Sequence, residues 1–135
     1  GLEETYYQKQ PIDIQPAPSD PSIKMPLGEL FGARSGDKGG CANIGVCAKT
    51  ENAYSFLNEC LTVKQIKQLM PDLAEFQIDR YELPNILSLN FYIHGILEDG
   101  VSSNTRKDGQ AKSLGEYLRA KYIEIPKSLI KEKEA

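Results

Sequence analysis

Leu87, Leu89, Phe91 and Ile93 alternate without a break against Ser88, Asn90 and Tyr92. A period of two puts one set on a buried face and the other on an open face, which is the pattern of a half-buried strand and not of a helix. A strand of this kind cannot stand alone, so the rest of the chain has to supply partners and a covering layer. Ala42, Ile44, Val46 and Ala48 repeat the period, predicting a strand over Ala42–Lys49. Phe76, Ile78, Tyr81 and Leu83 give a third strand. The alternation slips at Asp79–Arg80, which predicts a bulge. Short strands are expected at Leu27–Phe31 and at Tyr122–Ile125, the second an edge strand ended by Pro126.

The covering layer is helical. Thr50 is placed to cap a helix carrying Ala53, Tyr54, Leu57 and Leu61, and Thr62 opens a second with Val63, Ile66 and Leu69, stopped by Pro71. A third opens at Gly109–Ala111, with Leu114, Tyr117, Leu118 and Tyr122 on its apolar face. The order β, β, α(α), β, β, α, β predicts an α+β, ferredoxin-like sandwich: a largely antiparallel sheet with its helices on one face. The other face is left to solvent or a partner.

The 135 residues suffice for one domain. Residues 1–26 hold five of the eight prolines and no apolar period, so they read as an extended arm or linker. The compact part spans 27–126, and 127–135 is a charged tail, mobile or a frayed helix. Sixteen basic and nineteen acidic residues leave a net charge of −3, against nucleic acid as the main partner. The longest apolar run, near Ile86–Leu89, falls far short of the ~20 residues that span a bilayer, so no membrane role is expected. No secretory leader is seen, and the expected compartment is the cytoplasm. Cys41, Cys47 and Cys60 then read as free thiols, buried or half-buried. There is no C-x-x-C, and the single histidine, His94, has no cysteine at ligand spacing, so no metal site and no cofactor are called for.

The densest chemical signal is Gly32-Ala-Arg-Ser-Gly-Asp-Lys-Gly-Gly-Cys-Ala-Asn-Ile-Gly45. Its segment Ala33–Cys41 is glycine-rich and polar, and reads as a loop. Glycine permits positive φ and close backbone approach, and successive N–H groups in such a turn can cradle an anion. Arg34 offers a planar fork for carboxylate or phosphate, and Lys38 a mobile point charge. The opposing reading is a tight hairpin whose Arg34 and Asp37 pair with each other. Neither the phosphate-loop spacing G-x-x-x-x-G-K-[ST] nor G-x-G-x-x-G is present. Elsewhere, His94 shares the polar face of its strand with Asn90 and Tyr92, and reads as a catalytic residue or, the opposing reading, as a hydrogen-bonded or surface histidine. Asn85 closes a turn after Pro84; Asn90 joins the loop if it faces the open side of the sheet; Arg106 reads as part of a solvated connection, with an approach from a second loop as its other reading. Cys41, near Arg34 and Lys38, has a second reading as a reactive thiol.

Arg34-Ser-Gly-Asp-Lys-Gly39 followed by Ala42-Asn-Ile-Gly-Val46 resembles the signature of the AtuA-like C-terminal domain, a ferredoxin-fold family associated with acyclic terpene utilisation. Leu61-Thr-Val63, Arg80-Tyr-Glu-Leu-Pro-Asn85, Leu89-Asn-Phe91 and Lys112-Ser-Leu-Gly-Glu-Tyr-Leu118 extend the resemblance in order across 27–126. One departure is chemical: Gly40-Cys41 stands where the family often has Asp-Thr, removing a carboxylate and a hydroxyl. Family members often carry this domain behind a large N-terminal one, so the chain resembles either a small subunit or an excised domain with its linker.

The resemblance implies an accessory subunit that completes a site on a larger AtuA-type partner in branched-chain or terpenoid acyl catabolism. The site residues it implies are Arg34, Ser35, Asp37, Lys38 and Asn43. Arg34 and Lys38 would hold an anionic group, such as an acyl-CoA phosphate or a carboxylate. Asp37 would orient one of them or act as a base, and Ser35 would donate a hydrogen bond. The alternative is a self-contained homo-oligomeric enzyme or binding module for the same class of ligand. It is weakened because no base accompanies Ser35 in local sequence.

Overall fold

The computed structural model describes residues 21–96 and 108–135. The chain runs β1 (Ser22–Pro26), a 3-10 turn at Leu27–Glu29, β2 (Gly32–Lys38), β3 (Cys41–Cys47), α1 (Glu51–Cys60) and α2 (Val63–Leu69). After a 3-10 turn at Pro71–Leu73 come β4 (Ile78–Leu83), a 3-10 turn at Pro84–Ile86, β5 (Ser88–Ile93), α3 (Asp108–Arg119), β6 (Tyr122–Pro126) and α4 (Lys127–Glu134). The strands form two antiparallel sheets: β2-β3-β5-β4, and a pair β1-β6. The architecture is α+β and ferredoxin-like.

Register decides which residues look inward. Ala42, Ile44 and Val46 of β3 stand opposite Ile93, Phe91 and Leu89 of β5, and all six are buried. The helices cover this face. The Thr50 and Thr62 hydroxyls accept from the N–H groups of Ala53 and Gln65, capping α1 and α2 as the sequence predicted. Helix α3 lies close over β2. A Cβ on Gly115 would stand 3.1 Å from the Arg34 backbone, so a side chain there would press helix and strand apart by a few tenths of an ångström. Arg80 of β4 also points inward, 2 % exposed, and bonds Glu82 at 2.9 Å. Its remaining donors reach the Leu61 carbonyl and both oxygens of Asn58, where α1 ends with unpaired carbonyls.

The structure corrects three local expectations. Ala33–Cys41 is not a loop. Most of it is strand β2, paired residue for residue with β3, and only Gly39 and Gly40 turn the hairpin, Gly39 at φ 64°. Apolar alternation is missing there because β2 is an edge strand, and its inward positions Ala33 and Ser35 must be small to admit α3. No bulge interrupts β4. Ile78 to Leu83 pair in unbroken register with Ile93 to Ser88, and the apparent slip comes from a buried ion pair at Arg80 and Glu82 where apolar residues were expected. The first strand is Ser22–Pro26, inside the region read as an arm, while Leu27–Phe31 is a turn and not a strand. Of the two readings of the tail the helical one is seen: it is α4, anchored by buried Leu129 and by Glu132, whose carboxylate accepts from Thr50 and Asn52 at the start of α1. Residues 1–20 and Arg106 lie outside the described residues.

Candidate functional site

The described helices α1, α2 and α3 sit on one side of the four-stranded sheet, and the other side carries polar residues from all four strands. The registers set them in rows. Arg34, Gly45, Asn90 and Tyr81 form one row, and Gly36, Asn43, Tyr92 and Asp79 the next. Beyond them Cys41 lies beside His94, whose N–H extends the sheet to the Gln77 carbonyl. Gly36 and Gly45 leave a strip free of side chains. A Cβ at either would meet only a neighbouring asparagine oxygen, at 3.8 Å. The strip is bordered by Asn43, which donates to Asn90 at 3.3 Å, and by the edge-to-face pair Tyr81–Tyr92.

The five residues expected at the site divide between the two sides of the sheet. Arg34 is exposed on the open face, opposite Gly45, and Asn43 lies half-buried in the next row. Lys38 pairs with Cys41 at the hairpin. Ser35 and Asp37 have the opposite parity. Ser35 lies under α3, where its hydroxyl accepts the Gly115 N–H at 2.7 Å, and Asp37 is exposed at the edge. Arg34 and Asn43 are thus brought together, and Ser35 serves the packing of a helix. Asn85 sits in the turn after Pro84, as expected.

Three residues that were not grouped in sequence meet at the far end of the face. The Cys41 Sγ lies 3.6 Å from His94 Nδ1, and His94 Nε2 lies 2.7 Å from Asp79 Oδ2. Gln77 Nε2 donates to Asp79 Oδ1 at 3.3 Å, and the Tyr81 hydroxyl to Oδ2 at 3.5 Å. Burial pushes the Asp79 carboxyl up, but the hydrogen bonds from His94 and Gln77 outweigh it, aided by the His94 charge and Tyr81, and leave the group below the usual carboxylate range. An ionised carboxylate only accepts, so Nε2 of His94 carries the proton, and in the neutral ring Nδ1 presents its lone pair to Cys41. His94 thus stands beside Cys41, across the sheet from the Ser35–Gly115 bond. The signal in sequence was the shared face of Cys41 and His94, but joining them needs the β3–β5 register between positions 53 apart in the chain.

Among the described residues, no group of three His, Cys, Asp or Glu side chains is arranged to hold a metal ion. Nor is any described helix long and apolar enough to cross a membrane. Two cavities, of about 300 and 350 Å³, lie away from the open face. One is beside Pro71 and Leu114, the other beside Thr50 and Leu129.

No curated protein and no solved structure matches this chain. The model of the AtuA ferredoxin-like domain matches residues 25–124, from the end of β1 to the middle of β6 and so across the whole four-stranded sheet and its open face. The chain belongs to the AtuA ferredoxin-like domain family.

Proposed function

We propose that this domain docks through the open face of its four-stranded sheet onto a larger AtuA-type protein and completes a site there for an anionic acyl substrate. One observation carries the reading: α1, α2 and α3 share one side of the sheet, while the other is a glycine-paved strip between Arg34, Asn43 and Asn90. A flat strip of that kind admits the backbone of another chain closely. Its half-buried tyrosines and asparagines are the residue types that give up water at an interface without leaving charges unpaired. Arg34, exposed on this face, supplies the fork for a carboxylate or phosphate of the substrate. Acyl catabolism as the setting rests on the family's association with acyclic terpene utilisation.

Affinity capture from the native lysate, with light scattering on what is recovered, tests the reading. A Gly45→Glu variant is the control. The new side chain would stand on the strip directly across from Arg34, and a Cβ there meets no backbone. The expected result is a stoichiometric larger AtuA-type protein with the unaltered chain and its loss with Gly45→Glu. Recovery of this chain alone, as a homo-oligomer unaffected by Gly45→Glu, would reject docking on this face.

A further inference from the structure

We propose that Cys41 is a nucleophile served by His94 as general base and positioned by Asp79, forming a site that accepts an acyl group from an activated ester or thioester. The inference goes beyond docking and does not depend on it, because all three residues belong to this chain.

The geometry has the connectivity such a site needs: nucleophile to base, and base to the group that orients it. The thiol is within hydrogen-bond reach of Nδ1, and Asp79 engages the opposite ring nitrogen at 2.7 Å. Because Asp79 holds the far side of the ring, the three do not converge on a point, which argues for a relay and against a metal site. The ring is 42 % exposed and Cys41 half-buried, so a ligand can reach both from the open face. Two residues along the same strand face is Asn43, whose amide carries a second N–H besides the one given to Asn90, a donor for an acyl carbonyl oxygen.

Thiol–disulfide exchange is the less fitting chemistry. Cys47, on the same strand face, is six residues away, roughly 20 Å along an extended chain and far beyond disulfide reach. Cys60 ends α1 on the other side of the sheet.

The step balances without a further reactant. His94 Nδ1 takes the proton from Sγ as sulfur attacks the carbonyl carbon. An S–C bond forms, the bond from carbon to the leaving oxygen or sulfur breaks, and its electron pair departs with the leaving group. That group takes the proton from His94, or departs as its anion while His94 gives the proton to water.

The test is acetylation of the intact chain by p-nitrophenyl acetate near neutral pH, with the acetyl group mapped to each cysteine by peptide mass. Cys47 is the internal standard, being the more exposed thiol. Burial pushes the Cys60 thiol up to about 12, so it should remain unmodified. Cys41 should be acetylated on the order of 10- to 100-fold faster than Cys47, in the range a positioned base contributes. His94→Gln, at a partly exposed position, should remove that excess.

A long-range nitrogen-15 correlation spectrum gives a second readout, unambiguous because His94 is the single histidine of the chain. It should show the Nε2–H form, and Asp79→Ala should lose both that preference and part of the rate. Cys41 reacting no faster than Cys47 would overturn the proposal. So would an unchanged ratio in His94→Gln, or an Nδ1–H form in the unaltered chain, which leaves no lone pair for the thiol proton.

Discussion

Asp79 shows how one side chain joins stability to the candidate chemistry. Its folded carboxyl lies below its ordinary value because His94 and Gln77 bond the ionised form against the opposing effect of burial. A carboxyl depressed on folding contributes stability that is fully present above its unfolded value, about 4, and is lost as pH falls through the lower folded value. Asp79→Asn should therefore be less stable than the unaltered chain near neutral pH, with the gap closing below about pH 4. Urea midpoints of the two proteins measured down the acid range would show this convergence, and a constant gap would count against the ionised bond. In sequence, Asp79 looked like part of a strand defect, and His94 had two readings. Each is a residue whose role is set by what lies beside it in the sheet, and adjacency there is decided by register across distant segments.

At the scale of elements, the clean alternations were legible. Leu89, Phe91 and Ile93, and Ala42, Ile44 and Val46, line the core as their period required, and both threonine caps stand where the sequence put them. What stayed hidden were strands whose inward positions are not apolar. Strand β2 faces inward with Ala33 and Ser35 because α3 lies on its backbone at Gly115. Strand β4 faces inward with Arg80 and Glu82 because the guanidinium closes the end of α1 through Leu61 and Asn58. Removing one partner of a buried ion pair strands the other, so Arg80→Met should cost about 3–5 kcal/mol by urea unfolding. The double variant Arg80→Met/Glu82→Leu, which leaves no buried charge behind, should recover much of that loss. Equal losses in the single and double variants would mean that the helix carbonyls, and not the carboxylate, are what Arg80 chiefly serves.

For the whole molecule, the division of labour follows from the layering. One side of the four-stranded sheet is occupied by helices and carries the core. The opposite side carries Arg34, Asn43, Asn90 and the Cys41–His94–Asp79 relay, none of which the core requires. The signature blocks had indicated the family. Which members of the glycine-rich signature face outward became visible only with β2 in register, which sent Arg34 and Ser35 to opposite sides. The account stands or falls on that open face being the working surface, and Cys47 reports on it, exposed on the same strand face as Asn43 and Cys41. The most direct measurement is the rate of maleimide labelling of Cys47 in the isolated chain and in the complex recovered with its larger partner. A fall of about tenfold or more on complex formation is predicted, since docking there excludes the reagent and water together. An unchanged rate in a complex of proven stoichiometry would contradict the account, because the partner would then be bound elsewhere.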